Sequence, residues 1–169
     1  CSITEDVWVA INGDDDYNLG TSEGEAFLTI QRALEMIAPQ DDDPITINLT
    51  GGTVESPDIF APSTTGEEFP IYMISNVNLI GQGEEMTILD AEQTDRVINM
   101  DGCDNNIISD LTITGGYYDY GGGYISRSNP TITHVTIESN TGDYAGGVYL
   151  NDSSPTLTHM TIANNTATY

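Results

Sequence analysis

The chain has 169 residues, of which 27 are acidic and three basic, for a formal net charge of −24. It contains no lysine, and a surface this acidic excludes the basic footprint that DNA, RNA or an anionic membrane would need. No apolar run approaches the roughly 18 residues of a membrane-spanning helix, and the length fits one domain.

Residues 7–11 alternate (Val-Trp-Val-Ala-Ile) and predict a strand with Val7, Val9 and Ile11 on one face. Beyond it, Asp14, Asp16, Asn18, Gly20, Ser22 and Glu25 fall at the ligand offsets of a calcium loop of EF-hand type, with Gly20 offering its carbonyl. Hard oxygen donors close together in sequence suit calcium, the one cofactor the chain suggests. Against this, Leu19 stands where such loops carry glycine, and no helix precedes. The same residues also read as an acidic turn in which Ser22 and Glu25 form a capping box. Phe27, Ile30, Leu34 and Ile37 then recur at helical spacing until Pro39, predicting a short amphipathic helix. Placed ahead of a sheet, such a helix would cover its open edge.

Residues 45–49 (Ile-Thr-Ile-Asn-Leu) alternate as the first strand after the helix, and residues 51–70 read as a lateral loop rich in proline, hydroxyl and acidic side chains. Strand-like runs resume at 72–74, 77–80, 87–90, 97–100, 107–108 and 111–113, broken by turns such as Gly81-Gln-Gly83. Cys1 and Cys103 are the only cysteines. A chain opening Cys-Ser resembles a bacterial lipoprotein cut at its lipidated cysteine; alternatively Cys1 is a processing boundary, or is bridged to Cys103 or to another chain.

The last third writes one pattern twice, at residues 120–140 and 144–165. Gly122/Gly123 and Gly146/Gly147 lie 24 apart, whereas Pro130 to Pro155, His134 to His159 and Ile137 to Ile162 lie 25 apart, so a one-residue insertion in a turn is expected. Within a copy, the step of three from Ile132 to Val135 breaks strand alternation and predicts a corner at Thr133-His134. A repeat this short cannot bury a core alone, so each copy should form one coil of a parallel β-helix stacked on its neighbours.

These repeats (Gly-Gly-x-Tyr/Ile, Ser-x-Pro-Thr-Ile/Leu-Thr, Ile-x-x-Asn) resemble those of right-handed parallel β-helix proteins, including bacterial surface proteins of the polymorphic outer-membrane type. The opening Val-x-Val-Ala, Gly-Asp-Asp, Leu-Gly-Thr and Phe-Leu-Thr-Ile-Gln-x-Ala-Leu is similar to the entry segment of secreted, pectate-lyase-like β-helix proteins. The resemblance implies an all-β, right-handed parallel β-helix with an N-terminal capping helix, secreted or displayed on a bacterial-type cell surface. One domain is expected: residues 1–44 the strand, acidic loop and cap helix, 45–119 irregular early coils, and 120–169 two regular coils with an uncapped C-terminal edge.

Asp110, His134 and His159 occupy one position in successive coils, a column that can bind a ligand or merely line a corner. Tyr120, Tyr144 and Tyr169 recur in the same way, and stacked aromatics can hold sugar rings or pack a β-helix edge. Asn140 and Asn165 read as a turn ladder in left-handed backbone. A β-eliminating lyase uses a Lys or Arg base and a charge-stabilising cation; this chain offers only Arg32, Arg96 and Arg127. The expected role is therefore a non-catalytic structural or adhesive module, self-associating end to end into oligomers or filaments. The alternatives are a fragment of a polysaccharide lyase or glycoside hydrolase, and a calcium-dependent glycan-binding module.

Overall fold

The computed structural model describes residues 2–169; Cys1, and with it the lipidation and disulfide expectations, lies outside the described residues. Strand β1 (Val7–Val9) is followed by a 3-10 turn (Glu23–Glu25), helix α1 (Ile30–Met36) and strand β2 (Ile45–Leu49). Then come β3 (Asp58–Phe60), β4 (Ile71–Tyr72), β5 (Val77–Ile80), β6 (Thr87–Asp90), β7 (Ile98–Asp101) and β8 (Ile107–Thr114). The regular coils add β9 (Gly123–Ser126), β10 (Thr131–Glu138), β11 (Thr141–Gly142), β12 (Val148–Asn151), β13 (Thr156–Ala163) and β14 (Thr166–Ala167).

Every strand pairing is parallel. One sheet runs β1-β2-β5-β8-β10-β13, with β3 and β6 alongside, and a second runs β4-β7-β9-β12. The chain is thus an all-β parallel β-helix of about four coils. Its interior is a column of Ile, Leu and Val: Ile47, Leu79, Ile108, Ile132 and their neighbours are buried. Among the described residues, no helix is long and apolar enough to cross a membrane.

The corner expected at His134 is present and explains how the coils tighten. Asp110, His134 and His159 have φ of 58°, 51° and 51°, so a single left-handed residue bends each of β8, β10 and β13. In the preceding coil the same bend takes the loop between β5 and β6, both of which pair with β8. The stretch read as a lateral loop over residues 51–70 therefore contains β3, which pairs with β6 as part of the wall.

Two local expectations are corrected. The helix does not open at Ser22, whose side chain makes no capping hydrogen bond; it opens at Thr29, whose hydroxyl accepts the Arg32 N–H at 3.0 Å. Ile11 is not a third inward strand residue but is exposed, because β1 ends at Val9 and the chain turns back so that the Ala10 N–H donates to the Phe27 carbonyl. Phe27 and α1, through Ile30 and Ala33, close the N-terminal end of the core.

At the other end the inward positions of the last coil are open, with Leu157 44% and Ile162 54% exposed. Equivalents one coil earlier, Ile132 and Ile137, are buried.

Candidate functional site: a tyrosine and arginine face

Side chains of alternate residues on a strand point outward, and parallel in-register pairing stacks them coil upon coil. On the β4-β7-β9-β12 sheet the register aligns Tyr72 with Asn99, Asn99 with Tyr124, and Tyr124 with Tyr149. The rings of Tyr124 and Tyr149 are parallel to within 5°, with centroids 5.8 Å apart. Tyr120 packs against both, 5.1 Å from Tyr124 and 4.3 Å from Tyr149. Arg96 lies over the Tyr120 and Tyr124 rings at 5.3 and 5.4 Å, a cation–π arrangement. Its Nη1 donates to Asn99 Oδ1 at 3.4 Å, and Asp95 stands 3.6 Å from its Nε. Desolvation among these groups, with Tyr149, Asp119 and Tyr124 adding to it and Arg96 opposing, raises the pKa of the Tyr120 hydroxyl.

Tyr144 and Tyr169 continue the aromatic surface, at 6.0 Å between Tyr120 and Tyr144 and 6.1 Å between Tyr144 and Tyr169. Tyr144 and Tyr169 are equivalent positions, but Tyr120 is not equivalent to them. Tyr120 pairs with Ala145, while Gly123 pairs with Val148 and Thr141 with Thr166, so the offset is 25 throughout and no residue is inserted. The glycine triplet at 121–123 suggested the shift because its first two members, not its last two, match Gly146 and Gly147. Both residues of that match must be small: a Cβ on Gly121 would lie 2.6 Å from the Thr141 carbonyl oxygen and one on Gly146 2.5 Å from the Thr166 backbone.

The His134 and His159 rings stack at 4.4 Å and 3° on the far corner of the coil, exposed, with Asp110 below them. Asp110 Oδ2 accepts the Ser109 hydroxyl at 2.6 Å. This column is separate from the tyrosine face and belongs to the left-handed corner.

In the acidic loop the polar groups are engaged locally. Asp14 Oδ1 accepts the backbone N–H groups of Asp16 and Tyr17 at 2.8 and 3.0 Å, Asn18 Nδ2 donates to the Ala26 carbonyl, and Glu25 accepts the Thr21 hydroxyl. The Gly20 carbonyl accepts the Trp8 N–H, completing the edge of β1. Asp16 and Ser22 are exposed. Among the described residues, no group of three His, Cys, Asp or Glu side chains converges to hold a metal.

Cys103 is buried, with Sγ 3.0 Å from the Met73 carbonyl oxygen. The next two coils place Ser128 and Ser153 there, bonded in series: Cys103 N–H to Ser128 Oγ, and Ser128 N–H to Ser153 Oγ. The thiol is a small buried group in a turn column, and burial raises its pKa.

One carboxylate escaped the sequence reading. Glu67 is 1% exposed, and its two oxygens accept the N–H groups of Ile30 and Gln31 at 2.7 and 3.0 Å, at the mouth of α1. Desolvation pushes its pKa to about 7, the two backbone donors opposing and Asp15 and Glu68 adding to the rise. Beside it, Gln31, Leu34, Glu68, Phe69 and Tyr72 line a cleft of about 240 Å³ that adjoins the start of the tyrosine row.

The model of the family described as protein of unknown function, DUF1565, matches residues 11–168, which is nearly the whole chain. The chain belongs to the DUF1565 family. DUF1565 is associated with β-helix proteins, in keeping with the coil described above. No curated protein and no solved structure gives a significant match to the chain. In this DUF1565 member, the register sets Tyr72, Asn99, Tyr124 and Tyr149 in one row across four successive strands.

Proposed function

We propose that the chain is a non-catalytic adhesive module of a secreted or surface-displayed protein, and that it holds carbohydrate on its tyrosine face. The observation that carries this reading is the pair Tyr124 and Tyr149, parallel and one coil apart, with Tyr120 and Arg96 alongside. Aromatic faces match the apolar C–H faces of sugar rings, and the rigid sheet holds them ready at little entropic cost. Binding rather than catalysis is favoured because each arginine already lies against a carboxylate: Arg32 with Glu35, Arg96 with Asp95 and Arg127 with Asp101.

Calorimetric titration against a panel of neutral, acidic and amino oligosaccharides tests the proposal. Tyr124→Ala combined with Tyr149→Ala should weaken binding by about 10- to 30-fold, at roughly 1 kcal/mol per ring. The melting temperature should stay within a few degrees. Repetition in chelator separates a calcium-dependent binder from a calcium-independent one. If no oligosaccharide binds, the reading is wrong.

A further inference from the structure

Charge and shape beside the tyrosine row select among carbohydrates. We infer that the preferred ligand is an amine-bearing, cationic glycan; the inference rests on the carbohydrate-binding reading above. Next to Tyr120 the chain forms a pocket of about 270 Å³ lined by Tyr117, Tyr118, Asp119 and Asp143. Two exposed aromatic rings and two carboxylates, with no basic side chain in the lining, are what an ammonium group requires: ring faces for cation–π attraction and anions for charge-assisted hydrogen bonds.

The pocket is built into the same scaffold as the stacking row. The Tyr117 N–H donates to the Asp95 carbonyl at 3.0 Å, and Asp95 is the residue that faces Arg96. The Asp143 N–H donates to the Tyr118 carbonyl at 2.9 Å, and the Tyr144 N–H to the Asp119 carbonyl at 3.0 Å. A sugar stacked on Tyr120 or Tyr144 would therefore carry its substituent toward Asp119 and Asp143. Asp143 Oδ1 takes the Thr168 hydroxyl at 3.0 Å, and among the described residues none donates a hydrogen bond to the Asp119 carboxylate.

The rest of the surface acts in the same direction. With all three arginines paired and a net charge of −24, the long-range field repels polyuronates and attracts polycations. A neutral glycan could use the rings and donate hydroxyl hydrogen bonds to the two aspartates, but it would lack the stronger ammonium–carboxylate pairing.

The experiment compares short β-1,4-linked glucosamine oligomers with their N-acetylated counterparts and with galacturonate oligomers of equal length. Binding is measured by calorimetry on the full chain at mildly acidic pH, where the amines are protonated. The amine form should bind at least about tenfold more tightly than the acetylated form, and the galacturonate form should not bind. Asp119→Asn with Asp143→Asn should bring the ratio of amine to acetylated affinity close to one. Equal affinity for the two forms, or preference for galacturonate, overturns the cationic inference and leaves the carbohydrate reading standing. Binding of the amine form that survives both the aspartate pair and Tyr124→Ala with Tyr149→Ala is diffuse charge attraction, and it too overturns the inference. Failure of the amine form overturns the cationic inference, and failure of the whole oligosaccharide panel removes the carbohydrate reading as well.

Discussion

Replacing Asn140 with Ala is expected to cost about 4 kcal/mol of stability, as two or three buried backbone groups each lose a partner worth roughly 1–3 kcal/mol. Asn140 is fully buried at the turn after β10. Its Oδ1 accepts the Gly116 N–H at 2.8 Å, while its Nδ2 reaches the Ile113 and Glu138 carbonyls at 3.1 and 3.0 Å and Asn165 Oδ1 at 3.0 Å. Ala leaves those groups facing an apolar interior with no room for bulk water, and Asp turns a donor into a second acceptor against two carbonyls. Asn165 sits in the open last coil and donates to the Ile137 carbonyl. Its replacement by Ala should cost no more than about 1 kcal/mol, since water can take over. Urea unfolding of the two variants, compared at equal slope, reads the difference directly. A loss under about 1 kcal/mol for Asn140→Ala would show that the ladder is dispensable and that apolar packing alone holds the coils in register.

The same ladder shows which parts of the structure were legible in the sequence. Alternation marked β1 and β2, because one face of each strand is buried and a one-residue slip would expose it. The step of three from Ile132 to Val135 marked the bend, and the observed pairing of Ile132 with Leu157 and Val135 with Met160 follows from that spacing. The Asn ladder was legible, but its backbone reason was not. The left-handed residues are Ser139 and Asn164, one position earlier, and Asn140 itself serves through its buried amide. The contacts at that position need an amide able to both donate and accept.

What was not legible arises from contacts distant in sequence. The start of α1 is set by Thr29 together with Glu67, 37 residues from Ile30, and by Asp15, which accepts the Leu28 and Thr29 N–H groups at 2.7 and 3.1 Å. A local capping pattern at Ser22 and Glu25 could not reveal that competition. The tyrosine face was half legible: the repeat pointed to Tyr120, Tyr144 and Tyr169, while Tyr72 and Arg96 joined only once the β4 and β7 register was known. Arg96 had looked like one of a few stray cations; its position over two rings needed the coil.

The second large effect is a fall in stability with rising pH that traces to Glu67. A pKa of about 7 in the folded chain, against an ordinary 4.5, means that between these values the native state holds a proton the unfolded state has released. The stabilisation is fully present below about pH 4.5 and is lost as pH rises through about 7, a change of about 3 kcal/mol. Burial is the main cause, and the Ile30 and Gln31 N–H groups only partly offset it. Glu67→Gln keeps an acceptor for one of those N–H groups but removes the charge, so its stability profile should be flatter. It should be less stable than the native chain at low pH, where the protonated acid is comfortable, and should draw level or pass it above about pH 8. The other acidic residues also repel one another as pH rises, but they do so in both proteins, and the difference between the two urea-unfolding series isolates Glu67. Parallel profiles from pH 5 to 8 would mean that water reaches the carboxylate and that α1 is capped by a solvated ion. Divergent profiles would tie the closed N-terminal end, and with it the cleft beside Tyr72, to the protonation of one buried side chain.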